Sequence, residues 1–216
     1  MVISDHFVYI HLPKTGGTFI RRMLVNKFLP KTWKAKELKG GHLVISDIPP
    51  THADLPIFGF VRNPYDWYVS WYYHQKNKDR SDFFNEVSDN GKKDFKSTMM
   101  TMAEMDAHEA FKNDFDTSKY EVLGAYTAIV LATYGEDLDV IQLGRFENLR
   151  DDFLSIMSNI TDVNLLFRLW TKHYPKLNKS SHTHYSHYYD NELREIMAEK
   201  DKLIFDRFGY AFEEDN

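Results

Sequence analysis

The segment His11–Thr18, which reads HLPKTGGT, has the residue types and spacing of an anion-binding loop. It lies between a short predicted strand and a predicted helix. Its glycines allow a tight turn that aims backbone N–H groups at an anion, and a helix N-terminus adds positive potential. Lys14 adds a full charge, and Thr15 and Thr18 add hydroxyl donors. The segment predicts a site for a group with at least two negative charges, although an ordinary strand–helix turn can also hold two glycines.

A second motif follows a later predicted strand, in Phe58–Tyr72. Arg62 stands at the carboxyl end of that strand, and Ser70 stands about two turns into the next helix. Ligands of open α/β sheets gather at such strand ends, and a guanidinium offers a bidentate fork to phosphate. Taken singly, a surface salt bridge explains Arg62 and tight packing explains Ser70. For each residue alone, that structural explanation is preferred.

These motifs resemble those of the sulfotransferase family. In the common nucleotide P-loop the lysine follows the second glycine, whereas here Lys14 precedes both. The order Pro-Lys-Thr-Gly-Gly-Thr is similar to the family's 5′-phosphosulfate loop, and Arg-x7-Ser, beginning Arg-Asn-Pro, is similar to its 3′-phosphate motif. More weakly, Arg145–Leu149 is similar to the Arg-Tyr/Phe-Glu-x-Leu segment of the family. Lys176–Tyr189 and the terminal helix with Phe208–Tyr210 resemble the bacterial and carbohydrate-type branch. The likeness covers 6–75 and 138–212 and is poor across 79–137.

The resemblance implies transfer of a sulfuryl group from 3′-phosphoadenosine-5′-phosphosulfate (PAPS) to a hydroxyl or amine. The acceptor would be a carbohydrate or small molecule, and the product would be 3′-phosphoadenosine-5′-phosphate (PAP). Lys14 would stabilise the leaving phosphate. The other implied nucleotide contacts are Thr15, Gly16, Gly17 and Thr18 at the 5′ end, and Arg62, Ser70, Lys179 and Ser180 at the 3′-phosphate.

A histidine is the expected general base. His42 follows two glycines at the start of a second predicted strand and matches the family's position, although it is also explained as a loop-packing residue. His74 is the rival, because it lies four residues after Ser70 on the same predicted helix face. His182–His187 allows a metal site, but a loop closing over the nucleotide is favoured, and no metal is expected.

Strand and helix patterns alternate, which predicts an α/β fold with a mostly parallel sheet flanked by helices. The resemblance makes this the P-loop kinase-like sulfotransferase fold, in a single domain over 1–216. The predicted strands are 7–11, 42–46, 56–61 and 140–146. The predicted helices are 19–28, 64–75, 98–111, 149–160 and one from Asp190 to Gly209. Residues 31–41 are expected to form a loop, 120–134 a helix or a hairpin, and 79–137 an insertion on the acceptor side.

Composition limits the other function classes. The 216 residues are 43% hydrophobic, carry a net charge of −5 and contain no cysteine, which excludes thiolate catalysis and disulfides. Residues 1–80 hold 12 basic and 6 acidic residues, against 15 and 26 in the remainder. A local basic region suits a small anionic ligand better than nucleic acid. The first residues show no basic region followed by an apolar run, and no stretch of 18 apolar residues occurs, so we expect a cytoplasmic protein without a signal peptide or membrane span.

Two other functions stay open at this stage. A small-molecule kinase would use His42–Asp47 as an apolar strand ending in the aspartate that holds Mg²⁺, although the lysine order argues against it. A non-catalytic PAP-binding protein would carry the same binding motifs.

Overall fold

The computed structural model describes residues 1–25, 33–40, 42–77, 80–105, 111, 115–120, 122–175, 177 and 182–215. The chain divides into two compact units. The first comprises 1–62 and 133–179, and the second comprises 63–132 and 180–216.

The elements alternate along the chain as an α/β protein requires. The strands are β1 (Val2–Ile3), β2 (Val8–Tyr9), β3 (Lys36–Glu37), β4 (Ile57–Val61) and β5 (Gln142–Arg145). The helices are α1 (Gly17–Leu24), α2 (Pro64–Asn77), α3 (Asp82–Val87), α4 (Phe95–Glu104), α5 (Ala125–Tyr134), α6 (Leu149–Ile160), α7 (Leu165–His173), α8 (Asn191–Lys200) and α9 (Lys202–Phe208). Short 3₁₀ turns occupy Ile45–Asp47, Pro50–His52, Leu138–Val140, Phe146–Asn148 and Tyr185–Tyr188.

The five strands form one mixed sheet in the order β3-β1-β2-β4-β5. β2 pairs parallel with β4, and β4 pairs parallel with β5, while β1 pairs antiparallel with β2 and with β3. The parallel strands β2 and β4 are apolar and almost wholly buried, as strands covered on both faces are. The predicted α/β fold with a parallel central sheet is confirmed, and two-residue antiparallel strands extend its edge.

Helices α1, α6 and α7 supply the apolar core of the first unit. Each turns a stripe of large side chains toward the strands, at the spacing of one helix face. The cluster joins Phe19, Ile20 and Met23 of α1, Phe153 and Met157 of α6, and Phe167 of α7 to Tyr9, Phe58 and Phe60 of the sheet. This packing holds α1 and α6 against the strands, and the loops that follow β2, β4 and β5 carry the predicted site.

An aromatic core and one buried carboxylate organise the second unit. Asp201, between α8 and α9, accepts hydrogen bonds from the Tyr68 hydroxyl at 2.7 Å and from the Thr127 amide and hydroxyl at 2.8 and 2.7 Å. The Thr127 bonds cap the first turn of α5 from a distant part of the chain. Asp201 is fully buried, and burial raises the pKa of its carboxyl to about 6.

Several element predictions were wrong. The segment 42–46 is not a strand: the Val44 amide donates to the Asp47 carboxylate at 2.8 Å, which stabilises a 3₁₀ turn that leads into Pro49 and Pro50. The predicted loop 31–41 contains the edge strand β3. By contrast, the helix predicted at 98–111 is present as Phe95–Glu104 after the Asp94 cap, and residues 106–110 of that prediction lie outside the described residues. The single terminal helix is two helices, because Asp201 turns inward between them.

Other boundaries agree closely with prediction. β4 and α6 lie where the pattern indicated, and α2 begins at Pro64 with the Tyr65 amide donating to the Asn63 carboxamide at 3.1 Å. Of the two structures considered for 120–134, the chain forms the helix α5. The sequence pattern did not identify α7, because its apolar residues lie on two faces.

Candidate anion-binding site

The loop between β2 and α1 has an unusual backbone. Lys14 has a φ of 65° and Gly16 a φ of 83°, both in the left-handed region. This region costs a residue with a side chain about 1–2 kcal/mol, so the conformation of Lys14 must be held by its surroundings. The buried Thr15 hydroxyl donates to the Leu12 carbonyl at 2.7 Å and closes the turn. Strain of this kind is typical of ligand-binding loops.

Gly17, the first residue of α1, lies directly against the imidazole of His11. A Cβ added at Gly17 would come within 1.8 Å of Cδ2 and 1.9 Å of Nε2 of that ring. Gly17 has a helical backbone, so the close approach of the ring, not the dihedral angle, requires glycine. The His11 ring therefore packs against the start of α1, where the first amides of the helix lie. The first amides of a helix lack intrahelical acceptors and favour anions.

Gly16 is equally confined from the other side. A Cβ there would meet the Leu149 side chain at 2.6 Å and the Phe146 ring at 3.3 Å. Both residues follow β5, so the end of this strand and the start of α6 shape the loop. The segment Arg145–Leu149, singled out from the sequence, thus lies against the glycines of the first motif.

Arg62 joins the two motifs. β2 and β4 are parallel, so their carboxyl ends lie at one edge of the sheet, and the Arg62 guanidinium donates to the Lys14 carbonyl at 3.0 Å. The guanidinium carbon lies 4.1 Å from the centroid of the Phe146 ring, an attractive cation–π contact. Arg62 is only 6% exposed. A largely desolvated cation is thereby fixed beside the loop, where it can attract a phosphate.

The surroundings of His11 are electropositive. Burial, together with the nearby charges of Arg21 and His42, lowers the pKa of His11 to about 3. His11 is therefore neutral at physiological pH and acts through its shape. His42 lies close enough to His11 to perturb it electrostatically. An anion at the loop would reduce this accumulation of positive charge.

The remaining predicted residues lie as follows. Thr18 is exposed in the first turn of α1, and His42 is exposed in the connection after β3. Ser70 is buried in α2, in the second unit. His74, the rival of His42 for the role of base, is partly buried in the same helix. Lys179 and Ser180 lie outside the described residues.

The histidine-rich segment forms local contacts. His182 is paired with the Thr183 carbonyl at 2.8 Å, His184 with the Ser186 hydroxyl at 2.9 Å, and His187 with Asp215 at 2.9 Å. Within the described ranges, no three His, Asp or Glu side chains are grouped as metal ligands. No helix in the same ranges is long and apolar enough to cross a membrane.

Sequence reasoning missed two contributors to the site, the ring of His11 and the ring of Phe146. Both stand inside segments that had been singled out, immediately after β2 and β5. The available signal was their place at the ends of parallel strands, which converge at one edge of the sheet.

Comparison with known proteins supports the fold assignment. No family model and no curated protein matches the chain in sequence. Among solved structures, the mouse sulfotransferase SULT7A1 complexed with PAP is similar to this chain with a TM-score of 0.56 and 15% sequence identity. The similarity covers 95% of this chain and 88% of the mouse chain. The chain therefore has a sulfotransferase-like fold.

Proposed function

We propose that this protein is a PAPS-dependent sulfotransferase that transfers a sulfuryl group to a hydroxyl or amine of a carbohydrate or small-molecule acceptor. One observation carries the proposal: within a sulfotransferase-like fold, Arg62 is bonded to the carbonyl of Lys14, so the two sequence motifs meet. A PAP-bound structural neighbour supports the same nucleotide. The bacterial and carbohydrate-type branch and the acceptor role of 79–137 are part of the proposal and rest on the sequence resemblance.

The residues present fit a bis-phosphorylated nucleotide. The left-handed backbone of Lys14 and Gly16, and the contact that only glycine allows at position 17, shape a loop that presents amides to an anion. Gly16, Gly17 and the Thr15 and Thr18 residues are assigned to the 5′-phosphate. Arg62 is assigned to the 3′-phosphate, because its guanidinium is buried and fork-shaped. Ser70, Lys179 and Ser180 are assigned there from the resemblance.

Lys14 and His42 are assigned to the chemistry. PAPS, when bound, supplies an activated sulfuryl group on a phosphate leaving group. The Lys14 ammonium stabilises negative charge that develops on that phosphate, and such stabilisation is largest in the transition state. His42 removes the acceptor proton, and its exposed position leaves it accessible to an acceptor from solvent. His74 remains the alternative base.

The Asp47 contact argues against the kinase alternative. A kinase of this layout needs an aspartate at the end of a strand for Mg²⁺, whereas Asp47 ends a 3₁₀ turn and accepts the Val44 amide. No comparable observation favours a second function.

Ligand-dependent stabilisation and turnover test the proposal together. PAP should raise the melting temperature much more than ATP with Mg²⁺, since a ligand that binds only the native state stabilises it. Sulfated product should then form from PAPS with a panel of glycan and metabolite acceptors. Lys14→Ala should reduce turnover about 10²–10³-fold, the range for loss of one preorganised electrostatic partner. The exposed Lys39→Ala is the matched control and should have no effect.

The outcomes distinguish a sulfotransferase from a kinase and from a PAP-binding protein. Greater stabilisation by ATP with Mg²⁺ would indicate a kinase and contradict the proposal. PAP binding without turnover on any acceptor would favour a PAP-binding protein. If Lys14→Ala and Lys39→Ala behave alike, Lys14 has no special role.

A further inference from the structure

Helix α7 exposes an unusual amount of apolar surface. Leu165, Leu166 and Leu169 are 68%, 70% and 46% exposed, while Phe167 and Thr171 on the opposite face are buried in the core. Among the described residues, seven large hydrophobic side chains are at least 41% exposed, and three of the seven lie between positions 165 and 169. Scattered exposed leucines are ordinary, but a cluster on one helix face indicates an interaction surface.

Basic side chains border this leucine face. At 100° per residue, Leu165, Leu169 and His173 form one stripe with Leu166 beside it, and Arg168 and Lys172 follow its edge. Residues 164–175 contain no acidic side chain. Arg168 and Lys172 are both exposed.

Two further arginines lie at the end of the same helix. The Arg150 guanidinium donates to the carbonyl oxygens of Lys172 and Tyr174, and Arg22 donates to the Tyr174 hydroxyl at 2.9 Å. Asp151 approaches the Lys172 ammonium to 3.9 Å, and both side chains are mostly exposed. An exposed pair at that distance is weak, and Arg22, Arg150 and Arg168 add three further positive charges around Lys172. The apolar face therefore adjoins a net positive region.

We propose that this face, defined by Leu165, Leu166, Leu169, Arg168 and Lys172, docks the protein on an anionic phospholipid surface. An amphipathic helix with leucines on one side and Lys or Arg at its margin lies in the plane of a bilayer interface, with its apolar side chains at the acyl boundary. The basic side chains are then level with lipid phosphates, to which they are attracted. This docking is independent of the sulfuryl-transfer chemistry.

Charge complementarity favours an anionic lipid surface, rather than a second copy of the chain, as the partner of this helix face. In a symmetric dimer the same patch meets itself, so the cations beside α7 from both copies would face one another. Juxtaposed like charges oppose association, whereas an anionic lipid surface neutralises them. One nine-residue helix with three leucines provides weak, reversible binding, so the expected partition coefficient is small.

Vesicle co-sedimentation tests the proposal with the complete chain. The protein should sediment with vesicles of equal parts phosphatidylcholine and phosphatidylglycerol, and much less with phosphatidylcholine alone or at high salt. Leu166→Asp should reduce the partition coefficient at least about tenfold, because a charge replaces an inserted leucine. Lys172→Gln should reduce it about fivefold on the anionic vesicles only. Leu203→Asp, at a 41% exposed leucine of α9, is the matched control and should bind normally.

Retained circular dichroism should accompany each variant, because all three altered side chains are substantially exposed. Absence of wild-type sedimentation with anionic vesicles would overturn the proposal, and so would equal binding to both vesicle types. A dimer in analytical ultracentrifugation that Leu166→Asp dissociates, without vesicle binding, would assign the face to a second copy and also overturn it. Equal losses in Leu166→Asp and Leu203→Asp would show that α7 is not the contact.

Discussion

The contact between Gly17 and His11 provides the sharpest test of how the loop is built. Alanine is normally tolerated in the first turn of a helix, and replacing glycine where the backbone is helical stabilises a protein by about 0.4–1 kcal/mol. At position 17, however, the new methyl group would come within 1.8 Å of the His11 ring. We therefore expect Gly17→Ala to be destabilising, entirely because of that ring.

The magnitude follows from the overlap. An inserted methyl group that forces a packed side chain or backbone to move costs about 1–3 kcal/mol. With His11→Ala already present, the obstruction is gone and Gly17→Ala should be neutral or slightly stabilising. The double-mutant cycle should thus give a coupling energy of about 2 kcal/mol, within the range for residues in direct contact. PAP affinity should fall at least about tenfold in Gly17→Ala alone, because the displaced residue bears an amide assigned to the 5′-phosphate.

Urea denaturation of the wild type, both single variants and the double variant measures the stability terms, and calorimetric titration with PAP measures the affinity. His11→Ala alone separates the cost of removing the ring from the cost of overlap. Additive effects in the cycle would refute the argument, because the two residues would then not constrain one another. A Gly17→Ala variant as stable as the wild type would refute it equally.

Three other perturbations address the site and the fold. Arg62→Ala should weaken PAP by about 2–4 kcal/mol, the scale for truncating a buried charged partner, yet leave adenosine-5′-phosphosulfate nearly unaffected in titrations; equal weakening of both ligands would mean that Arg62 supports the fold. His42→Ala should lower turnover about 10²–10⁴-fold at unchanged PAP affinity and abolish the rise of rate with pH; near-normal turnover would transfer the role to His74. Asp201→Asn should flatten the dependence of unfolding free energy on pH. The pKa of Asp201 is raised from its ordinary value of 3.8 to about 6 in the folded protein. The protonated side chain therefore contributes its full stabilisation below pH 3.8, and ~3 kcal/mol of that stabilisation is lost as the pH rises through about 6. If the unfolding free energy of Asp201→Asn, measured by urea denaturation, changed with pH as steeply as that of the wild type over this range, Asp201 would not be the titrating group.

The sequence by itself determined the elements whose signals are local. Asn63 and Pro64 specify the start of α2 through a side-chain cap and a preset φ, and the apolar period of 149–160 specifies α6. The types and order of residues in Pro13–Thr18 and in the segment that begins at Arg62 indicated anion binding before any contact was known. These signals extend over a few residues, so one chain segment is enough to recognise them.

Only the tertiary structure decided the features that depend on residues distant in the chain. β1 and β3 are two residues long, too short for a periodic pattern, and they exist because neighbouring strands supply their hydrogen bonds. The 42–46 segment has strand-like composition, but the Asp47 cap and the following prolines select a turn. The bond from Arg62 to the Lys14 carbonyl spans 48 positions and forms because parallel strands end at the same edge of the sheet. The requirement for glycine at position 17 likewise arises only in the folded chain, because the spacing of His11 and Gly17 in the sequence does not show how closely the two residues approach.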